Sequence, residues 1–250
     1  MPRFQNGSVE IDFLDEGEGD PVVLIHGFAS TKEVNWAFPG WVSTLRRAGR
    51  RVIALDNRGH GRSTKLYRPQ DYAIDAMASD ARALLAHLDL PRADFIGYSM
   101  GARISAFLAA RHGEIVRAAV LAGVGASLVE GRQMSEAIAA ALDAPSLAEV
   151  TDPRGRAFRA FAEQTRADLR ALAACIRGSR EALPRAEAQA IRAPVLIAVG
   201  TADDIAGPAA PLAKIIAGAQ VLDIPGRDHM RAVGDRVFKD GVLAFLAHRP

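Results

Sequence analysis

Five short apolar runs, separated by segments with helical spacing, constrain the fold of this chain more than any other feature. The runs occupy residues 21–27, 51–56, 93–98, 118–123 and 193–200, and they end in glycine, aspartate or a turn. Continuous apolar character is typical of strands that are covered on both faces of a parallel sheet. The segments between them, such as DAMASDARALLAHLDL and ARISAFLAARHG, carry apolar residues at helical spacing. The alternation predicts an α/β fold with a mostly parallel central sheet flanked by helices.

Two segments depart from this alternation. Residues 8–17 alternate apolar and polar side chains, as a partly exposed antiparallel edge strand does. Residues 126–190 show no strand pattern, and their alanine, arginine and acidic residues recur at helical spacing. We therefore expect residues 1–125 and 191–250 to form the core domain, and residues 126–190 to form a small helical lid over one end of the sheet.

Composition excludes several classes of protein. Of 250 residues, 49% are hydrophobic and 24% are charged, as in an ordinary globular domain. The 31 basic residues are interleaved with 29 acidic ones, which is unlike the basic face of a nucleic-acid binder. Cys175 is the only cysteine, so an intramolecular disulfide is impossible. The N-terminus has no signal-peptide pattern and no apolar run reaches membrane-spanning length. We expect a cytoplasmic protein with no nucleic-acid or membrane partner.

The pentapeptide GYSMG, residues 97–101, sets Ser99 between two glycines where an apolar run ends and a helical segment begins. Such an abrupt reversal crowds the backbone and leaves little room for a Cβ at Gly97 or Gly101. It also lifts the serine hydroxyl above the sheet edge, at the N-terminus of a helix. The pentapeptide alone fits an ordinary tight turn equally well. The strand–turn–helix context favours a nucleophile elbow.

A serine hydroxyl needs a base to accept its proton at neutral pH. Of the six histidines, His229 lies in the loop between the last predicted strand and the final helix, where it can reach the same sheet edge. Asp203 and Asp204 end the buried run LIAVGTADD, and either can orient the imidazole. Asp228 is adjacent to the histidine in sequence, so its side chain points elsewhere and is expected at the surface.

Two backbone N–H groups are predicted to stabilise an oxyanion at Ser99. One is that of Met100, directly after the serine, and the other is that of Phe28 in the loop HGFAST. Because these donors belong to the main chain, both side chains are free to line a pocket. The other candidates for the pocket wall are Trp36, Ile205, Met230, Phe158 and Phe161. The last two are three residues apart on a predicted helix, so they either face the site or pack against the sheet.

The order of five segments resembles that of the α/β-hydrolase fold family over nearly the whole chain. The segments are LIHGFAST, ALDNRGHGRST, IGYSMGAR, LIAVGTADD and IPGRDHM. Small esterases, lactonases, C–C hydrolases and perhydrolases are its most similar members. The resemblance implies Ser99 as nucleophile, His229 as base and Asp203, three residues after the strand-end glycine, as the acid. It implies architectural roles for His26 and for the turn at residues 56–61.

The resemblance implies a serine hydrolase that cleaves a carboxylic ester, lactone or thioester of a small-molecule substrate, with no metal and no organic cofactor. Two alternatives stay open: a ligand-binding protein on the same scaffold, and perhydrolysis or C–C bond hydrolysis by the same residues. Met230 departs from the family pattern, because C–C hydrolases and several esterases carry a tryptophan at that position. Ser99 excludes the chemistry of dehalogenase relatives, which use an aspartate nucleophile.

Overall fold

The computed structural model describes residues 1–131 and 135–248, and its centre is a single eight-stranded sheet. The strands are β1 (Arg3–Asn6), β2 (Val9–Glu16), β3 (Asp20–Ile25), β4 (Arg50–Leu55), β5 (Ala93–Tyr98), β6 (Val116–Ala122), β7 (Val195–Gly200) and β8 (Gln220–Ile224). Their order across the sheet is β1-β2-β4-β3-β5-β6-β7-β8. Neighbouring strands from β4 to β8 are parallel, and β1 and β2 are antiparallel to their neighbours.

Helices connect the strands and cover both faces of the sheet. They are α1 (Trp41–Arg47), α2 (Ile74–His87), α3 (Met100–Arg111), α4 (Ser127–Glu130), α5 (Ser135–Asp143), α6 (Pro153–Gln164), α7 (Leu169–Gly178), α8 (Arg185–Ala190), α9 (Ala209–Ala213) and α10 (Arg236–His248). The two faces carry separate buried apolar clusters, one packed around α2 and α3 and the other around α1 and α10. No helix of the described residues is both long enough and apolar enough to cross a membrane.

The five apolar runs of the sequence correspond to β3 through β7, and the predicted α/β architecture is confirmed. Every residue of β5 and of β7 is buried, which explains why these segments are apolar without alternation. The expectation for residues 8–17 is half right. β2 is antiparallel, but β1 pairs with it and takes the edge of the sheet. At four residues, β1 is too short to give a recognisable alternating pattern.

Between β6 and β7, the regular elements of the described residues are all helical. The helix α7 buries one face against the rest of the protein through side chains such as Leu172 and Ile176. The division into a core domain and a lid over residues 126–190 remains a prediction, and we use "lid" below for those residues.

The carboxyl ends of the parallel strands bring distant residues to one edge of the sheet. Phe28 follows β3, Ser99 follows β5, Asp203 follows β7 and His229 follows β8. In open α/β sheets, ligands bind in the crevice outside this edge. The topology therefore assembles the predicted site residues from four separate loops.

Candidate active site

Ser99 occupies the turn between β5 and α3 in a conformation that few side chains adopt. Its backbone has φ 53° and ψ −110°, and its residue is partly exposed although both neighbours are buried. A Cβ on Gly97 would lie 2.2 Å from the carbonyl oxygen of Gly101, and one on Gly101 would lie 1.9 Å from that of Ile25. Both positions therefore require glycine, and the strained turn holds the hydroxyl away from the sheet.

The structure brings Ser99, His229 and Asp203 together. His229 Nε2 lies 2.9 Å from Ser99 Oγ, and His229 Nδ1 lies 2.7 Å from Asp203 Oδ2. The side chains of the histidine and the aspartate are almost completely buried. With its Nδ1 proton donated to the carboxylate, the imidazole presents an unprotonated Nε2 to the serine hydroxyl, which is the arrangement that a general base requires.

The environment of Asp203 keeps its carboxylate ionised. Burial raises the pKa of this group, but the hydrogen bond and charge of His229 and two backbone donors outweigh it and lower the pKa. Those donors are the N–H groups of Ile205 and Ala206, each 2.9 Å from Oδ1. The two oxygens thus have different tasks, since Oδ1 anchors the loop and Oδ2 orients the imidazole.

The other two aspartates near the site point away from the imidazole. Asp204 is exposed and forms an ion pair of 2.7 Å with Arg154 of α6. Asp228 is partly exposed, and its Oδ1 accepts hydrogen bonds from the N–H groups of Met230 and Arg231. Neither aspartate shares the buried position of Asp203.

Tyr98, the residue before the serine, supports His229 through a hydrogen bond to its backbone. Its hydroxyl donates a 2.6 Å hydrogen bond to the carbonyl oxygen of His229, and the two rings lie 5.6 Å apart. The elbow therefore supplies both the serine and a support for the histidine. Sequence reasoning missed this residue, because the variable position of a G-x-S-x-G motif carries no local signal for a contact 131 residues away.

Phe28 and Met100 both line the cavity that opens at Ser99. Among the described residues, the backbone N–H of neither residue donates a hydrogen bond to another protein atom. A Cβ on Gly27 would lie 3.4 Å from the Cβ of Ser99, so this loop passes directly beside the serine. Asn35 holds the loop there by accepting a 2.7 Å hydrogen bond from the N–H of Gly27.

Two buried histidines brace the loop that carries Phe28. His26 Nδ1 donates to the carbonyl oxygen of Gly27, and its Nε2 accepts from the N–H of Asn57. His60 Nε2 accepts from the N–H of Ala29, whose φ is 60°. Each imidazole uses both of its ring nitrogens in hydrogen bonds to the backbone. Among the described residues, no group of His, Cys, Asp or Glu side chains is arranged to hold a metal ion.

Lys32 forms a buried ionic cluster beneath the same loop, and sequence reasoning missed it. Its Nζ lies 2.5 Å from Asp12 Oδ1 and 2.6 Å from Asp56 Oδ2, and all three side chains are buried. Asp56 also accepts hydrogen bonds from the N–H groups of Lys32 and Arg62. We call these three side chains the loop-side cluster. A lysine in a loop is usually solvated, so nothing local in the sequence distinguished this one.

Apolar side chains of the lid and of the loops surround the serine. Phe158 lies 5.9 Å from the Phe28 ring, and both border a groove of about 290 Å³ that contains Ser99 and His229. Phe161 and Met230 also line that groove. Ile205 and Phe158 line the smaller cavity on the other side of the serine. Phe158 and Phe161 also pack against the apolar core, so each of them both faces the groove and packs inside the protein.

Trp36 is a correction to the predicted pocket. Its side chain is completely buried, and its ring lies 5.9 Å from that of Trp41 in an edge-to-face contact. It belongs to the apolar cluster on the α1 and α10 face of the sheet. The short helical turn Glu33–Ala37 directs this side chain into the core instead of toward the pocket.

Comparison with known proteins identifies the family to which the fold belongs. Residues 20–182 match the family described as the alpha/beta hydrolase fold. The chain belongs to the α/β hydrolase fold family. The family match ends before Asp203 and His229, so their approach to Ser99 is evident only in the tertiary structure.

Relatives of this α/β hydrolase carry names from more than one activity. A protein of Synechocystis sp., described provisionally as a non-heme chloroperoxidase, is 30% identical over 90% of each chain. A non-heme haloperoxidase of Rhodococcus erythropolis is 34% identical over 52% of this chain and 46% of its own length.

Solved structures of α/β hydrolases superpose on nearly the whole chain. The enol-lactonase of Burkholderia xenovorans has a TM-score of 0.83 at 24% identity, covering 99% of this chain and all of its own. A bromoperoxidase of Bacillus anthracis has a TM-score of 0.80 at 25% identity, covering 96% of each chain. At such identities the likeness establishes the shared fold, and the activity has to be argued from the site itself.

Proposed function

We propose that this protein is a serine hydrolase that cleaves a carboxylic ester, or a related lactone or thioester, through an acyl-enzyme intermediate. The observation that carries the proposal is the continuous hydrogen-bonded series from Ser99 Oγ through His229 to Asp203, at 2.9 and 2.7 Å. A hydroxyl, an imidazole and a buried carboxylate in this order form the arrangement that makes serine a nucleophile at neutral pH.

In the proposed mechanism, His229 Nε2 accepts the hydroxyl proton as Ser99 Oγ attacks the substrate carbonyl carbon. The resulting oxyanion receives hydrogen bonds from the free N–H groups of Phe28 and Met100. His229 then passes the proton to the leaving alcohol or thiol, and the C–O or C–S bond breaks. A water molecule, deprotonated by the same imidazole, attacks the acyl-enzyme and releases the carboxylic acid and free Ser99. Asp203 remains ionised and stabilises the imidazolium that forms twice in the cycle.

Perhydrolysis is a second candidate, because several relatives are named as haloperoxidases. In that reaction hydrogen peroxide replaces water as the nucleophile that attacks the acyl-enzyme. One oxygen of the peroxide loses its proton to His229 and forms the new bond to the acyl carbon. The bond from that carbon to Ser99 Oγ breaks, Ser99 Oγ recovers the proton from His229, and a peracid leaves. His229 serves as the base in both reactions, so the two differ only in the second nucleophile.

The test is hydrolysis of short p-nitrophenyl esters by the wild type, Ser99→Ala and Ser43→Ala. Ser43 is an exposed serine of α1 and provides the matched control. We expect Ser99→Ala to lower kcat by roughly 10³-fold or more and Ser43→Ala to leave it unchanged. A fluorophosphonate probe should label Ser99, as judged by mass spectrometry of the modified peptide.

The outcomes separate the candidate functions. Equal rates for the wild type and Ser99→Ala would refute the proposal and favour a ligand-binding protein. Adding hydrogen peroxide to the ester assay distinguishes the second candidate, because a perhydrolase diverts the acyl group to a peracid. A product that stays entirely carboxylic acid at saturating peroxide would exclude it.

A further inference from the structure

A small cavity on the lid side of Ser99 differs in character from the apolar groove on the other side. Its volume is about 40 Å³, and its wall includes Ser99 together with Arg103 and Arg180. Since a single water needs roughly 10–15 Å³, the cavity admits about three water-sized groups. It is too small for a large acyl group and contains more positive charge than an apolar ester requires.

Arg180 lies just after α7 and lines the same cavity as Ser99. Its Nε is buried, and among the described residues no hydrogen bond or ion pair reaches any of its three nitrogens. The next residue does not supply a counter-charge, since the carboxylate of Glu181 lies 3.7 Å from Arg111. Burial lowers the pKa of Arg180 to about 10, so the group is still charged at neutral pH.

Arg103 on α3 adds a second charge without a carboxylate partner. Its guanidinium donates to the carbonyl oxygens of Ser127, Leu128 and Glu181, at 2.9 to 3.2 Å. These acceptors take three hydrogen bonds from its terminal nitrogens but leave its charge uncompensated. Burial, and then the charge of Arg180, lower the pKa of Arg103 to about 10. We call Arg103 and Arg180 the arginine pair.

Two like charges in a half-buried cavity are unfavourable unless an anion joins them. Arg103 has a structural task, because it ties the start and the end of the lid to α3. Arg180 has no such task in the described residues. A guanidinium that has five donors, no acceptor among the described residues and a place in the same cavity as a candidate nucleophile is suited to bind a planar carboxylate through two parallel hydrogen bonds.

We propose that the substrate carries a carboxylate, bound by Arg180 in this cavity while Ser99 attacks an ester carbonyl of the same molecule. This inference rests on the proposed function and names its substrate class: a half-ester of a short dicarboxylic acid, or a small lactone that carries a carboxylate. The cavity volume limits the part of the substrate that lies inside it to a carboxylate and about one or two methylenes, and any further methylene of the acyl chain joins that part to the reacting carbonyl at Ser99.

The experiment compares two esters whose acyl chains have the same length. Monomethyl glutarate carries the carboxylate and methyl valerate does not, and their hydrolysis is followed by proton release. We expect kcat/KM for the anionic ester to exceed that for the neutral one by about tenfold or more. Arg180→Gln should lower this ratio by roughly 10- to 100-fold, mainly through KM of the anionic ester, because it removes the cation that binds the carboxylate.

Two further variants serve as controls for charge and for folding. Arg180→Lys keeps the charge but loses the bidentate geometry, so it should recover only part of the ratio. Arg185→Gln removes an exposed arginine outside the cavity and should leave the ratio unchanged. Methyl valerate turnover shows directly whether each variant is folded, and a wild type that does not prefer the anionic ester overturns the inference without any variant.

Equilibrium binding separates this inference from the proposed function. Calorimetry with glutarate on the Ser99→Ala protein should show binding that weakens at least tenfold when Arg180→Gln is added. If this holds while no ester is cleaved, the proposed function fails and the carboxylate site stands. If Ser99 is required for hydrolysis of methyl valerate but glutarate binds equally with and without Arg180, the inference is overturned and the proposed function stands.

Discussion

Two regions of the molecule treat charge in opposite ways. In the loop-side cluster, Lys32 is held between Asp12 and Asp56 at 2.5 and 2.6 Å. In the arginine pair, Arg103 meets only neutral carbonyl oxygens and Arg180 has no hydrogen-bond partner among the described residues. The first region supports the loop that carries Phe28, and the second lines the small cavity at Ser99.

The loop-side cluster, whose lysine is paired, and the arginine pair, which has no carboxylate partner among the described residues, suit different roles. The loop-side cluster offers a ligand no free donor, because the Lys32 ammonium is bound by both carboxylates and the cluster holds the loop that carries Phe28. It is architectural. The arginine pair keeps donors and net charge available, which costs stability in the free protein and is recovered when an anion binds. Unpaired buried charge is thus a better guide to a binding site here than charge itself.

The largest expected effect comes from breaking the loop-side cluster. Lys32→Met removes the cation that two buried carboxylates share and leaves only Asp12 with a second ion-pair partner among the described residues, Arg3 at 3.3 Å. We expect the free energy of unfolding to fall by about 3–5 kcal/mol. Urea denaturation measures this. The control is Arg46→Met, which removes an exposed pair with Glu16 and should cost less than about 1 kcal/mol. Similar losses for the two variants would contradict the architectural role of the cluster.

The next effect concerns His60, which braces the loop beside that cluster. Burial, and then the charge of His26, lower the pKa of His60 in the folded protein to about 3. In the unfolded chain its pKa is about 6.5, so below that pH the unfolded state binds more protons than the folded state. The free energy of unfolding therefore decreases as pH falls from about 6.5 toward 3, because the folded state holds His60 neutral. The decrease between pH 6.5 and 5 is about 2 kcal/mol.

Urea denaturation at pH 7, 6 and 5 checks this acid sensitivity. His60→Gln should lose part of the dependence on pH, about 1 kcal/mol per pH unit. His26 remains in the variant, and burial lowers its pKa as well, so some dependence will persist. Parallel pH profiles for the wild type and the variant would show that His60 does not couple folding to pH.

The smallest effect has the opposite sign and sharpens the comparison. Arg180→Met removes an unpaired charge, so the free energy of unfolding should stay constant or rise by up to about 1 kcal/mol without ligand. Glutarate should raise the melting temperature of the wild type and leave that of Arg180→Met unchanged. A loss of more than about 2 kcal/mol in the variant would mean that the guanidinium stabilises the lid itself.

Much of the fold could be predicted from the sequence because its signals are local. The uninterrupted apolar runs that became β3 through β7 reflect strands buried on both faces, and each can be recognised within eight residues. The glycines around Ser99 follow from the same local geometry, since the elbow has no space for a Cβ. The strand β1 was not predicted, because its four residues are too few to show a periodic pattern.

The details of the site depended on contacts between distant segments. Trp36 was expected in the pocket but lies in the core, because a short helical turn decides which way its ring faces. Tyr98 supports His229 across 131 residues, and no motif contains both of them. Local patterns report on the periodicity of a segment, whereas a hydrogen bond depends on where two segments meet.

By itself, the sequence determined the layered α/β architecture, the serine elbow and the short set of residues from which a base and an acid would come. Only the tertiary structure decided which charges are paired. Lys32 and Arg180 are both cations in loops, and nothing adjacent to either in sequence distinguishes a closed network from an open cavity. The physical reason is that the energy of a buried charge depends on its partners, and those partners are supplied by strands and helices far along the chain.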